Sequence, residues 1–61
     1  MIIKDKNICG GSPTIKGTRI TVGVVLANIR DEVSFVEICE DYHITKQDII
    51  DCFDYVIKKM E

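Results

Sequence analysis

Three hydroxyl residues, each followed by a run of helical hydrophobic periodicity, constrain this chain more than any other feature. Thr21 precedes apolar residues at i, i+3, i+4 and i+7, which begin at Val22. Ser34 and Thr45 each precede a further short amphipathic run and each has an acidic residue three positions later. For Ser34 and Glu37 this spacing predicts a capping box, in which each side chain accepts a hydrogen bond from the backbone N–H of the other. Because a serine or threonine side chain satisfies free backbone N–H groups at a helix start, these positions predict three short helices.

The apolar faces of the second and third predicted helices are expected to form the core. We expect the third helix to depend most on Ile49 and Phe53. The face of the second helix comprises Phe35, Ile38, Cys39 and Tyr42, and the stripe of the third comprises Ile49, Ile50, Phe53, Val56, Ile57 and Met60. The opposite, exposed face of the third helix is then expected to carry Gln47, Asp51, Asp54, Tyr55 and Lys58.

Residues 1–21 have a different character. They contain three of the four glycines, the only proline, and the short β-branched pieces Ile2-Ile3 and Arg19-Ile20, which predict brief strands joined by turns. The chain is therefore expected to form a single domain, 1–61, with a β arm (1–21) outside the core and a three-helix unit (22–61). The two short helices joined by a tight turn after a preceding helix predict a helix-turn-helix arrangement.

The small size of the chain predicts a need for extra stability. A 61-residue domain buries only about 60% of the surface that its unfolded chain exposes. Cys9, Cys39 and Cys52 are odd in number and lack metal-ligand spacing, and no apolar run of signal-peptide length precedes them. We therefore expect buried free thiols in a reducing cytoplasm, with no metal and no disulfide. A homodimer that pairs strand edges of the arm would supply the missing buried area.

Charge and composition exclude several classes of function. The formal net charge of −2 has the wrong sign for bulk electrostatic binding to nucleic acid, so any DNA contact must be local. No apolar stretch approaches the roughly 20 residues that span a bilayer. The chain shows no Ser-His-Asp, Cys-His or paired-carboxylate arrangement and offers little concavity for a substrate. The sequence thus predicts a protein that is not an enzyme and that uses no cofactor, small-molecule substrate or membrane.

The densest local signal spans residues 10–22, GGSPTIKGTRITV. Its glycines and proline favour a defined chain reversal. A phosphate-binding P-loop is a poor match, because that motif requires Lys and then Ser or Thr after its last glycine, whereas Thr18 and Arg19 follow Gly17 here. A turn that sets two short strands is therefore the favoured interpretation.

The pattern GxPxIxGTRIxV over residues 11–22, with Tyr42, the TxxDI run at 45–49 and Tyr55, resembles the bacterial and archaeal family called domain of unknown function 433. The resemblance covers nearly the whole chain. It implies a homeodomain-like three-helix fold with an N-terminal β arm, and the role of a VapB-like antitoxin to a PIN-like ribonuclease toxin. Two departures are the loop 31–33, usually glycine-bearing, and His43 in place of the usual proline.

Two groups of residues are the candidate sites. For DNA, we expect contact at the N-terminal end of the third helix, at Thr45, Lys46 and Gln47, since Asp51 and Asp54 would repel phosphates farther along. For partner binding or dimerisation through the arm, the candidates are Lys16, Gly17, Thr18 and Arg19. Arg19 and Lys16 are expected to meet carboxylates of a partner chain rather than to reach DNA, unless Arg19 lies locked inside the dimer.

The leading hypothesis is therefore the antitoxin of a type II toxin–antitoxin pair that neutralises a PIN-like ribonuclease and also binds its own operator DNA. Two alternatives remain open. One is a plain helix-turn-helix transcription regulator, and the other is a non-catalytic dimeric interaction module.

Overall fold

A computed structural model of residues 1–61 shows three α-helices preceded by a short two-stranded antiparallel sheet. A one-turn 3₁₀ helix, Cys9–Gly11, lies between the strands. The elements are β1 (Ile2–Ile3), β2 (Thr14–Ile15), α1 (Val22–Arg30), α2 (Phe35–Tyr42) and α3 (Lys46–Met60). The prediction of a mainly helical domain with a small N-terminal β segment is confirmed at this level.

Hydroxyl caps start the helices where the sequence predicts. The Thr21 hydroxyl accepts a hydrogen bond from the backbone N–H of Val24 at 3.1 Å. At α3, the Thr45 hydroxyl accepts from the N–H of Asp48, and the Asp48 carboxylate accepts from the N–H of Thr45, a reciprocal capping box. Each such cap contributes about 1 kcal/mol.

The predicted capping box of α2 forms only by half. The Ser34 hydroxyl accepts from the backbone N–H of Glu37 at 3.2 Å. The Glu37 carboxylate makes no return bond to the N–H of Ser34 and remains exposed. The prediction of mutual satisfaction was therefore wrong for this pair, and the hydroxyl alone caps the helix.

The connection between α2 and α3 consists of three residues. His43 adopts the left-handed conformation (φ 56°, ψ 43°), and its backbone N–H donates to the carbonyl of Cys39. Ile44 follows, is only 6% exposed and packs in the core, and Thr45 then caps α3. The backbone reversal at His43 thus ends one helix and lets the next begin almost at once.

The core lies where all three helices meet β2. Its buried apolar residues are Ile15, Val22, Val25, Ile38, Ile44, Ile49 and Cys52. Ile15 is 2% exposed and Thr14 beside it is fully buried, so residues 1–21 do not form an arm outside the core. That expectation was wrong because β2 is held between β1 and the chain at 20–21, which places it directly against the helices.

The second strand also differs from its prediction. The strand pairing joins Ile2 with Ile15 and Ile3 with Thr14, whereas Arg19-Ile20 is not a strand. The Ile20 carbonyl instead accepts a single hydrogen bond from the N–H of Ile15 at 3.0 Å.

The apolar stripe of α3 is divided between the core and solvent. Ile49 and Cys52 are fully buried, and Phe53 is half-buried. Ile50 and Ile57 are 39% and 52% exposed, contrary to the prediction that they face the core. The exposed apolar side chains also include Phe35 and Met60. The apolar residues of α3 thus occupy a wider surface of the helix than α1, α2 and β1 cover.

The longest helix, α3, has 15 residues. No helix combines the length and the apolar content that crossing a bilayer requires.

Candidate binding surfaces

The turn between β2 and Thr21 presents the four predicted arm residues. Gly17 adopts φ +81°, a conformation that other residues rarely take. The Thr18 hydroxyl donates to the Ile15 carbonyl at 2.8 Å and accepts from the N–H of Ile20 at 3.0 Å. The backbone N–H of Thr18 donates to the same Ile15 carbonyl at 3.0 Å. Gly17 and Thr18 therefore serve to fix the turn.

The two cations of this turn point to solvent. Lys16 and Arg19 are both exposed, and neither forms an ion pair within the chain. The Arg19 carbonyl accepts a weak hydrogen bond from the Cys9 thiol at 3.3 Å. The structure thus places the Arg19 side chain outside the fold, beside the turn that Thr18 holds. Cys9 itself is exposed, which corrects the expectation that all three cysteines are buried.

Charge is distributed unevenly between the two parts of the chain. Residues 1–21 contain four basic residues and one acidic residue, a formal charge of +3. Residues 22–61 contain four basic and nine acidic residues, a formal charge of −5, so the two parts give the overall −2. The basic residues of the first part, all exposed, are Lys4, Lys6, Lys16 and Arg19. This uneven distribution gives residues 1–21 a potential opposite to that of the helices.

The three predicted DNA-contacting residues do lie together at the start of α3, and all are exposed. Two of them are already engaged. The Thr45 hydroxyl is used in the capping box, and the Gln47 side-chain amide donates to Asp51 at 3.0 Å. Lys46 forms no ion pair and presents a free cation at this end of the helix.

The face of α3 that carries Asp51 and Tyr55 is partly covered, contrary to prediction. The amino group of Met1 donates to the Asp51 carboxylate at 2.6 Å, and the Asp51 side chain is only 24% exposed. That hydrogen bond, with the one from Gln47, holds the pKa of Asp51 below its usual value, although burial opposes the shift. Sequence reasoning missed this contact, because the two-residue strand beside Met1 shows no alternation and Asp51 is 50 residues away from Met1.

Met1 links the turn between β2 and Thr21 to α3. Its carbonyl accepts from the N–H of Lys16 at 2.8 Å, while its amino group bonds to Asp51. An open pocket of about 240 Å³ lies beside this contact, lined by Met1, Ile2, Asp51, Asp54, Tyr55 and Lys58. No three histidine, cysteine, aspartate or glutamate side chains are grouped closely enough to hold a metal ion.

The family model described as "Protein of unknown function (DUF433)" matches residues 2–56, which is nearly the whole chain. The chain belongs to this family. The predicted resemblance is thereby confirmed. The match includes both the turn between β2 and Thr21 and most of α3. No curated protein and no solved structure matches the chain significantly.

Proposed function

We propose that this family member is the antitoxin of a type II toxin–antitoxin pair, which binds and neutralises a PIN-like ribonuclease in the cytoplasm without catalysing a reaction itself. The observation that carries the proposal is the exposed, unpaired Arg19 on an anchored turn within a segment of charge +3. The resemblance of residues 11–22 and of the helices supplies the class of partner.

The chemistry of such a partner suits this surface. A PIN-like active site is a cluster of carboxylates that hold divalent metal ions, and a guanidinium pairs with carboxylates through two parallel hydrogen bonds. Since Gly17 and Thr18 already fix the turn, little backbone entropy is lost when Arg19 binds. Lys16 adds a second cation on the same turn, which favours rapid association with an acidic site.

Charge reversal at Arg19 tests the proposal. The product of the adjacent reading frame is purified and assayed for ribonuclease activity, and inhibition of that activity by the wild-type protein and by Arg19→Glu is titrated. We expect Arg19→Glu to weaken inhibition by roughly tenfold or more, because the negative charge of the new glutamate would repel the carboxylates of the nuclease. Arg30→Glu is the matched control, because Arg30 is also exposed but pairs only with its neighbour Asp31.

Two results would contradict the proposal. One is a wild-type protein that neither binds nor inhibits the nuclease, which would favour the interaction module. The other is full inhibition by Arg19→Glu, provided that its thermal midpoint matches that of the wild type.

A second activity, binding of operator DNA through a homeodomain-like helix-turn-helix, is favoured by the connection between α2 and α3. The three-residue turn through left-handed His43, followed by the capped start of α3, has the lengths typical of that motif. Lys46 provides the free cation, while the acids along α3 limit the contact to this end.

DNA binding is tested by a fluorescence titration against the promoter fragment at several salt concentrations. We expect weak binding with a small salt slope, and we expect Lys46→Ala to lower that slope by about 0.9, the contribution of one phosphate. Lys59→Ala, at the other end of α3, is the control. Equal salt slopes for the wild type, Lys46→Ala and Lys59→Ala would show that α3 is not the DNA-contacting element. Binding of DNA without any interaction with the nuclease would favour a plain transcription regulator.

A further inference from the structure

One side of α3 carries an apolar surface that the fold leaves uncovered. Ile50, Phe53, Ile57 and Met60 follow one another at spacings of three, four and three residues, which places them in a row along the helix. Phe35 of α2 extends this row, because its ring lies 6.4 Å from that of Phe53. We call these five residues the α3 stripe.

We propose that the α3 stripe is the surface through which two copies of this chain associate, with their α3 helices antiparallel. This dimer differs from one formed through the arm. It also leaves Arg19 free, so it does not depend on the proposed contact with the nuclease, although it pairs Lys46 and so competes with DNA contact at that residue.

The exposed apolar area of the stripe can be compared with the apolar area that a stable dimer buries. At about 150–200 Å² per large side chain, the exposed fractions of Phe35, Ile50, Ile57 and Met60 amount to roughly 300–400 Å² per copy. A standard interface buries about 800 Å² per partner, of which a little over half is apolar. The stripe therefore supplies most of the apolar area that such an interface contains. The chain alone also exposes 4313 Å², slightly more than the roughly 4,000 Å² typical of a monomer of its mass.

The stripe is partly self-complementary about a two-fold axis. An axis between Phe53 and Asp54 would place Ile50 on Ile57 of the second copy and Ile57 on its Ile50. The same register would bring Lys46, at the start of α3, next to Glu61 of the second copy. Both residues are exposed, and neither side chain pairs within its own chain. Opposite charges thus meet at both ends. The same axis sets Phe53 opposite Asp54 and Met60 opposite Gln47 of the second copy, so the apolar match rests on the two Ile50–Ile57 pairs.

Sedimentation equilibrium over a concentration series tests the dimer. Ile50→Lys is expected to raise the dissociation constant of the dimer by roughly tenfold or more, because both copies would bury a lysine at the centre. Val24→Lys is the matched control, since Val24 lies on α1 and is exposed to the same extent, 39%. A wild-type protein that remains monomeric throughout the series overturns the proposal, as does equal weakening by the two lysine variants.

The register has its own test, which uses two exposed charged residues. Lys46→Glu should weaken the dimer because two glutamates would then face each other. The double variant Lys46→Glu/Glu61→Lys should restore the wild-type dissociation constant. A double variant that stays as weak as Lys46→Glu overturns the antiparallel arrangement, and circular dichroism confirms that each variant is folded.

Discussion

Replacing buried Thr14 in β2 is expected to stabilise the protein, whereas most substitutions of core residues destabilise it. Thr14 is fully buried and its Oγ1 has no hydrogen-bond partner. An unsatisfied buried polar group costs about 1–3 kcal/mol in free energy of unfolding. Thr14→Val replaces that hydroxyl with a methyl group of similar shape and keeps the β-branched side chain that suits β2. We expect it to raise the free energy of unfolding by about 1 kcal/mol.

Thr18→Val is the matched control. It makes the same chemical change four residues away, but the Thr18 hydroxyl forms two hydrogen bonds, at 2.8 and 3.0 Å. Losing them costs about 1–2 kcal/mol, because each contributes about 1 kcal/mol and the N–H of Ile20 is left without its partner. The two variants should therefore shift stability in opposite directions.

Urea denaturation followed by circular dichroism measures both changes. The midpoint should move while the slope of the free energy against urea stays constant, since neither variant changes the area exposed on unfolding. In a thermal scan, 1 kcal/mol corresponds to about 4–8 °C for a domain of this size. If Thr14→Val destabilised the protein as much as Thr18→Val, the Thr14 hydroxyl would have a partner and the reasoning would be refuted.

Three further predictions concern α3 and the cysteines. Ile49→Ala should cost about 2–5 kcal/mol and more than Phe53→Ala, measured by urea denaturation, because Ile49 is fully buried and Phe53 only partly so. Thiol labelling at neutral pH should modify exposed Cys9 rapidly and Cys52 only on unfolding; equal rates would contradict the assigned burial. Burial also raises the pKa of Cys52 from 9.0 to about 11, so stability should fall as the pH rises from 9 towards 11, and Cys52→Ala should remove this loss.

The starts of the three helices could be predicted from sequence because their cause is local. A hydroxyl three residues before a free N–H is enough to form the cap, and Thr21, Ser34 and Thr45 all do so. The turn at Gly17 was predictable for the same reason, since the backbone conformation depends on the residue itself.

Only the tertiary structure decided which side of each element is buried. The row Ile49, Ile50, Phe53 and Ile57 is apolar throughout, so the pattern could not show that Ile50 and Ile57 would face solvent. That choice follows from which elements pack on α3, and one of them, β1, is two residues long and about 50 residues distant along the chain. The exposure of Arg19 also depends on the tertiary structure. The turn that carries Arg19 follows Ile15, and Ile15 is buried against the helices in the assembled core. The residues next to Ile15 in sequence do not determine that position.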